Sequence, residues 1–156
     1  MAKNRGDMPT HSETRILPYH ARQMYDLVAD VARYPQFLPW CAAARIRSVE
    51  PMVDGGDEML ADLVISFKVS RERFASGARL YRDQDRIEID YLEGPFKYMR
   101  STWEFRDVDD DACEVKFMVD FEFRNFVLQK AIGLVFNEAM MRIVRAFEER
   151  AKVLYS

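Results

Sequence analysis

The chain has 156 residues, 49% hydrophobic and 31% charged, which is material for one folded domain and excludes wholesale disorder. A net charge of −3 argues against a nucleic-acid binder that works through bulk positive charge, and two cysteines, Cys41 and Cys113, are too few for a disulfide scaffold. The longest clean apolar run, Ile132 to Phe136, falls far short of a bilayer span, and the first residues carry no apolar leader core, so a cytoplasmic location is expected.

Residues 1–8 are polar and unpatterned and are read as a flexible tail, leaving 9–156 as a single domain. His11 falls in a first strand. Met24, Leu27, Val28 and Val31 then recur at helical spacing behind Pro18, with His20 at the helix start. From Tyr34 to Cys41 two prolines fix an irregular connection crowded with Tyr34, Phe37, Leu38 and Trp40. A loop this apolar either caps the core or forms the mouth of a pocket, and the two roles are compatible.

The middle of the chain alternates with a period of two. Ala61, Leu63, Ile65, Phe67 and Val69 take one side of a strand; Ile87, Ile89 and Tyr91 do so in the next. Met99, Ser101, Trp103 and Phe105 follow, then Cys113, Val115, Phe117, Val119, Phe121 and Phe123. Turn signals separate these runs at Asp54-Gly55-Gly56-Asp57, Asp83-Gln84-Asp85, Gly94-Pro95 and Asp109-Asp110-Asp111. The pattern is an antiparallel meander with one dry face.

From Asn125, an N-cap candidate, the residues Leu128, Ile132, Val135, Phe136, Ala139, Ile143, Ala146, Phe147 and Leu154 form one apolar stripe on a long helix. Residues 82–122 hold 13 acidic and 6 basic side chains, and residues 123–156 hold 3 acidic and 6 basic, which predicts an acidic outer sheet and a basic last helix. Sheet and helix each need a partner for their dry face. The fold class that follows is α+β, a curved antiparallel sheet wrapped around a long C-terminal helix, with short helices after the first strand.

The dry surfaces contribute many large aromatic side chains, Phe74 and Phe147 among them. They either fill the space as core or line a cavity for an apolar ligand, and the small residues Ser76, Ala78, Ser101 and Ala139 leave room for the latter. Catalytic chemistry finds little support. His11 and His20 have no motif partners and read as surface or capping residues, Cys41 and Cys113 read as buried thiols, and the three aspartates at 109–111 lack metal-loop spacing. No metal site, catalytic residue or dinucleotide fingerprint is expected.

The run Asp30-Val31-Ala32-Arg33-Tyr34-Pro35-Gln36-Phe37-Leu38-Pro39-Trp40-Cys41 resembles the signature of the coenzyme Q-binding START-domain family, part of the helix-grip, polyketide cyclase/dehydrase-like superfamily. Gly94-Pro95-Phe96-Lys97-Tyr98-Met99 followed by Trp103-Glu104-Phe105 is similar to that family's central hairpin. The ending Phe121-Glu122-Phe123-Arg124-Asn125, with Phe136-Asn137-Glu138-Ala139-Met140 and Ala146-Phe147-Glu148-Glu149-Arg150-Ala151, resembles its C-terminal portion. The likeness runs from about Pro9 to Tyr155.

The resemblance implies a non-enzymatic protein that binds ubiquinone or a related isoprenoid lipid between sheet and helix, in support of respiratory electron transfer or quinone biosynthesis. No cofactor is implied beyond ubiquinone as a bound ligand. Wall candidates are Phe37, Leu38, Trp40, Phe67, Trp103, Phe121, Phe136 and Met140, with hydroxyls from Tyr34, Tyr91 and Ser101 for a head group. Bacterial members are also described as RatA-type toxins that bind the large ribosomal subunit and inhibit subunit association, which is the alternative reading; a hydrolase or cyclase is a distant third. Leu134 and Met141, beside Arg142 and Arg145, suit contact with either a membrane or a ribosome. The partners expected are therefore the lipid, a transient membrane surface or respiratory complex at the inner face of the membrane, or the large ribosomal subunit, but not DNA.

Overall fold

The computed structural model describes residues 10–67, 70–94, 96–133 and 135–155; the expected tail lies outside the described residues. Seven strands form one sheet: β1 (Thr10–Leu17), β2 (Cys41–Pro51), β3 (Asp57–Phe67), β4 (Ser70–Tyr81), β5 (Arg86–Glu93), β6 (Phe96–Asp109) and β7 (Ala112–Phe123). The order is β1-β7-β6-β5-β4-β3-β2 and every neighbouring pair is antiparallel. The register fixes what meets at each end. Cys41 at the start of β2 pairs with Ile65, Phe67 pairs with Ser70 across the β3–β4 hairpin, and Phe96 pairs with Phe123 where β7 finishes. One end of the sheet therefore gathers the Tyr34–Cys41 connection, two hairpins and the entry to the C-terminal helices.

Four of the strands are the alternating runs of the sequence, and Met59, Ala61, Ala78, Ile87, Trp103, Phe105, Cys113, Val115, Phe117, Val119 and Phe121 are buried in one core. β2 escapes the period-two reading for a physical reason. Its register shifts between Cys41 and Ala43 and again between Ile46 and Ser48, and each bulge moves the following residues to the other face. The outer face is less acidic than composition suggests. Arg79 bridges Glu88 and Asp90, Arg86 bridges Glu88 and Glu104, and Arg106 meets Glu114, so arginines offset much of the acidic excess. Exposed pairs of this kind add at most about 1 kcal/mol each.

Helix α1 (Ala21–Ala29) buries Ala21, Met24, Tyr25, Leu27 and Val28. Its N-cap is His20, whose backbone N–H donates to Gln23 Oε1 at 2.9 Å, so the helix begins after Pro18 rather than on it. The chain leaves helical geometry at Asp30, and Val31 opens a 3-10 helix, Val31–Gln36, instead of ending α1.

The single C-terminal helix expected from the stripe is two helices, α2 (Phe126–Gly133) and α3 (Phe136–Tyr155). Asn125 accepts the first helical bond from Gln129 at 2.9 Å, and α2 ends at Gly133, a poor helix former. A stripe read through that break loses phase. Val135 and Leu154 are exposed, while Val144 and Ala151, outside the expected stripe, are buried with Phe136 and Phe147.

β1 turns a polar face toward α3. His11, expected at the surface or as a cap, is only 9% exposed, its Nδ1 3.0 Å from Asn137 Oδ1 and its Nε2 2.7 Å from Glu13 Oε1. Glu13 in turn pairs with Arg15, which donates to Glu148 Oε1 at 2.7 Å. This relay gives the buried edge of the sheet hydrogen-bond partners on α3. Phe147 is the aromatic counterpart, 5.2 Å from the Trp103 ring and 5.5 Å from Tyr34. Phe147→Ala should cost about 3–5 kcal/mol in urea unfolding, whereas Ile16→Ala on the exposed face of β1 should stay within about 0.5 kcal/mol.

Candidate functional site: an aromatic cluster at the open end of the grip

The expected wall residues separate into two groups. The inner group joins Trp103 to Phe117 at 4.3 Å between ring centroids and to Phe147 at 5.2 Å; Phe147 continues to Phe37 at 5.3 Å. Arg150 covers Phe37 from outside at 5.2 Å and donates to Gln36 Oε1. Tyr34 is buried here, and its hydroxyl donates to the Val28 carbonyl at 2.5 Å; burial holds that phenol well above its ordinary pKa. Its hydroxyl is thus committed to the backbone. A void of about 10 Å³ bordered by Trp103, Phe117, Val144 and Phe147 has room for a single water at most. The inner group is solid core.

The outer group lies at the gathered end of the sheet. Phe96 is its hub, with ring centroids at 4.8 Å from Phe123, 5.3 Å from Tyr91, 5.5 Å from Phe121 and 5.8 Å from Phe74. Phe121 continues to Phe136 on α3 at 4.7 Å. Phe74, Tyr91, Phe96 and Phe123 are half-buried, so this end is reachable from solvent. Gly94 makes the close packing feasible. It has φ +149°, and a Cβ there would lie 2.5 Å from Phe74 Cβ and 3.1 Å from the Tyr91 ring.

Within that cluster the Tyr91 hydroxyl is buried and has no hydrogen-bond partner among the described residues. An unpaired buried hydroxyl costs about 1–3 kcal/mol, so it calls for a reason. At the same end of the sheet, Trp40 holds φ +66°, a left-handed conformation unfavourable for a bulky residue, while its carbonyl accepts the Ser66 N–H at 2.7 Å. Strain and an unsatisfied polar atom thus share one end of the molecule.

Leu38 and Met140 are half-buried against the core, and Ser101 is buried on β6. Met141 is 41% exposed, and Arg142 and Arg145 are exposed on α3. Leu134 and the Phe67 side chain lie outside the described residues. Sequence reasoning left Phe96 and Phe123 out of the site; the apolar residue directly after a Gly-Pro turn was the available signal for Phe96. A shallow depression near Ile16, Pro18 and Asp109 to Ala112 lies at the opposite end and contains none of these residues.

His11 and the two thiols are engaged away from this cluster. Both ring nitrogens of His11 face oxygen partners, and burial pushes the Cys41 thiol up. Burial, with Asp107 and Asp85 adding to it, pushes the Cys113 thiol up to about 11. Among the described residues no group of His, Cys, Asp and Glu is arranged to hold a metal ion.

The family model described as polyketide cyclase/dehydrase and lipid transport matches residues 17–148. The chain belongs to that family. Among its relatives, the ribosome association toxin RatA of Escherichia coli K12 is 39% identical over 149 residues, covering 96% of this chain and 90% of RatA. The mitochondrial coenzyme Q-binding protein COQ10 homolog B of Xenopus laevis is 29% identical, covering 93% of this chain and 59% of that protein. In fold, the chain is similar to the ZhuI aromatase/cyclase of a Streptomyces species, with a TM-score of 0.80, 16% identity, and 93% and 94% of the two chains covered.

Two outcomes follow from the geometry. Tyr91→Phe removes the unpaired hydroxyl and should raise the unfolding free energy of ligand-free protein by about 1 kcal/mol, whereas Gly94→Ala should lower it. The raised Cys113 pKa contributes stability that is complete below the ordinary value of 9.0 and disappears as pH rises toward 11. Urea midpoints should fall across that window, and Cys113→Ala should flatten the fall.

Proposed function

We propose that the protein is a non-catalytic lipid binder whose ligand is ubiquinone or a closely related isoprenoid quinone, taken up at the Phe96 cluster. The observation that carries this reading is the Tyr91 hydroxyl, a buried donor with no partner among aromatic rings. A quinone head supplies a carbonyl acceptor and a flat ring that can stack among Phe74, Phe96 and Phe123. Its isoprenoid tail gains about 0.8 kcal/mol for each buried methylene. The half-buried rings at this end part to admit the ligand, while the inner group around Trp103 stays closed and sets how deep the head can go. The name of the COQ10 relative supports this choice of ligand. The thiols raised by burial and the engaged His11 support a binding role over a catalytic one.

A second reading, ribosome association with inhibition of subunit joining, is supported by the higher identity to RatA and by the exposed Arg142 and Arg145. Protein purified from its native host and extracted with organic solvent should yield near-stoichiometric quinone, and Tyr91→Phe should retain at least fivefold less. An empty wild-type protein that co-sediments with large ribosomal subunits, and loses this with Arg142→Glu and Arg145→Glu together, would reverse the order of the two readings.

A further inference from the structure

Helix α2 leaves the sheet beside the Phe96 cluster. Arg124 Nε donates to the Phe96 carbonyl at 3.1 Å, and the Phe123 N–H donates to Gln129 Oε1 at 2.8 Å, so the helix is tied to the rim of the open end. Its first turn presents Phe126 and Val127 to solvent at 72% and 75% exposure. Two adjacent large apolar side chains this exposed, at the mouth of an aromatic cluster, form a projecting tip. Lys130 sits one turn on, its ammonium 5.5 Å from the Phe126 ring centroid, and Arg124 is exposed just before the helix. Between Arg124 and Asn137 the sequence contains no Asp or Glu. Within this segment the tip carries apolar and cationic groups and no acidic one, and Glu122, just before it, is paired with Lys97.

We infer that α2 is a docking element for an anionic lipid bilayer, with Phe126 and Val127 entering the acyl boundary and Arg124 and Lys130 meeting the phosphates. The charge pattern selects this occupant: exposed apolar groups whose charged neighbours within the segment are all cations match a surface that is negative outside and hydrocarbon beneath. RNA is a poorer match, since only Phe126 could stack a base and the equally exposed Val127 would stay in water. Docking in this pose turns the open end of the grip toward the region where an isoprenoid tail resides. The inference extends the carrier reading by giving its ligand a route, but vesicle binding needs no ligand in the protein and is measured separately.

The test is co-sedimentation of the full chain with extruded vesicles of phosphatidylcholine alone, or with about a third phosphatidylglycerol. Binding should require phosphatidylglycerol and weaken with salt. Lys130→Glu should reduce affinity at least fivefold, since each basic residue at such a surface is worth about that factor. Phe126→Glu with Val127→Glu should abolish binding, with the thermal melt used to verify folding. A gain of signal guards against an unfolded variant: Phe126→Trp should show blue-shifted emission and quenching by brominated lipid on adding vesicles. Equal binding to neutral vesicles, a double variant that sediments like wild type, or an introduced indole whose emission stays that of a solvent-exposed group would overturn the inference. So would loss of purified-ribosome binding in the double variant without any vesicle binding by wild type. A protein that binds vesicles but yields no quinone on extraction from its native host would retain the docking element and lose the carrier reading; one that yields quinone but ignores vesicles would do the reverse.

Discussion

Everything in this molecule depends on how α3 is seated in the concave face of the sheet. Phe136 and Phe147 meet Phe121 and Trp103 across that boundary, and the Asn137–His11–Glu13–Arg15–Glu148 relay fastens the same helix to the edge strand β1. Aromatic contacts contribute area without direction, whereas the relay sets register, because a buried polar group displaced from its partner is costly. The helix is held by both kinds of interaction at once. That combination lets one part of the interface stay fixed while another yields.

The two aromatic groups differ in the way this division requires. Around Trp103 the rings of Tyr34, Phe117 and Phe147 are buried and Phe37 is partly so, the Tyr34 hydroxyl is bonded, and the void beside Trp103 is near the size of one water. Around Phe96 the rings of Phe74, Tyr91 and Phe123 are half-buried while Phe121 is buried, and the contacts are mostly edge-to-face. The Tyr91 hydroxyl is unpaired among the described residues, and the Trp40 backbone is strained at the same end of the sheet. Local opening is cheapest where burial is incomplete and polar groups lack partners. In the proposed carrier, the ligand completes the outer group much as Phe147 completes the inner one.

The sheet was legible because β3, β5, β6 and β7 keep strict alternation, and one dry face makes their register consequential. β2 was hidden by its two bulges, and the split of the C-terminal helix by a glycine whose cost is small enough for a long stripe to appear continuous. Tyr91, Phe121 and Phe136 were legible as inward aromatic residues, but pattern alone did not separate them from Tyr34 and Trp103. Which of two inward tyrosines has an idle hydroxyl depends on three-dimensional partners: Val28 for Tyr34 and none among the described residues for Tyr91. His11 escapes a sequence reading because one buried polar residue in a short edge strand has the sequence appearance of a surface position.

The direct test of a grip with one closed half and one opening half is a residue-resolved titration. Aromatic side-chain NMR of the full chain, labelled at phenylalanine and tyrosine, would be followed as short-chain ubiquinone is added. The account predicts saturable shifts at Tyr91, Phe96, Phe121 and Phe123, with Tyr34, Phe117 and Phe147 nearly still. Equal shifts throughout both groups, or no saturable shift at Tyr91, would contradict it.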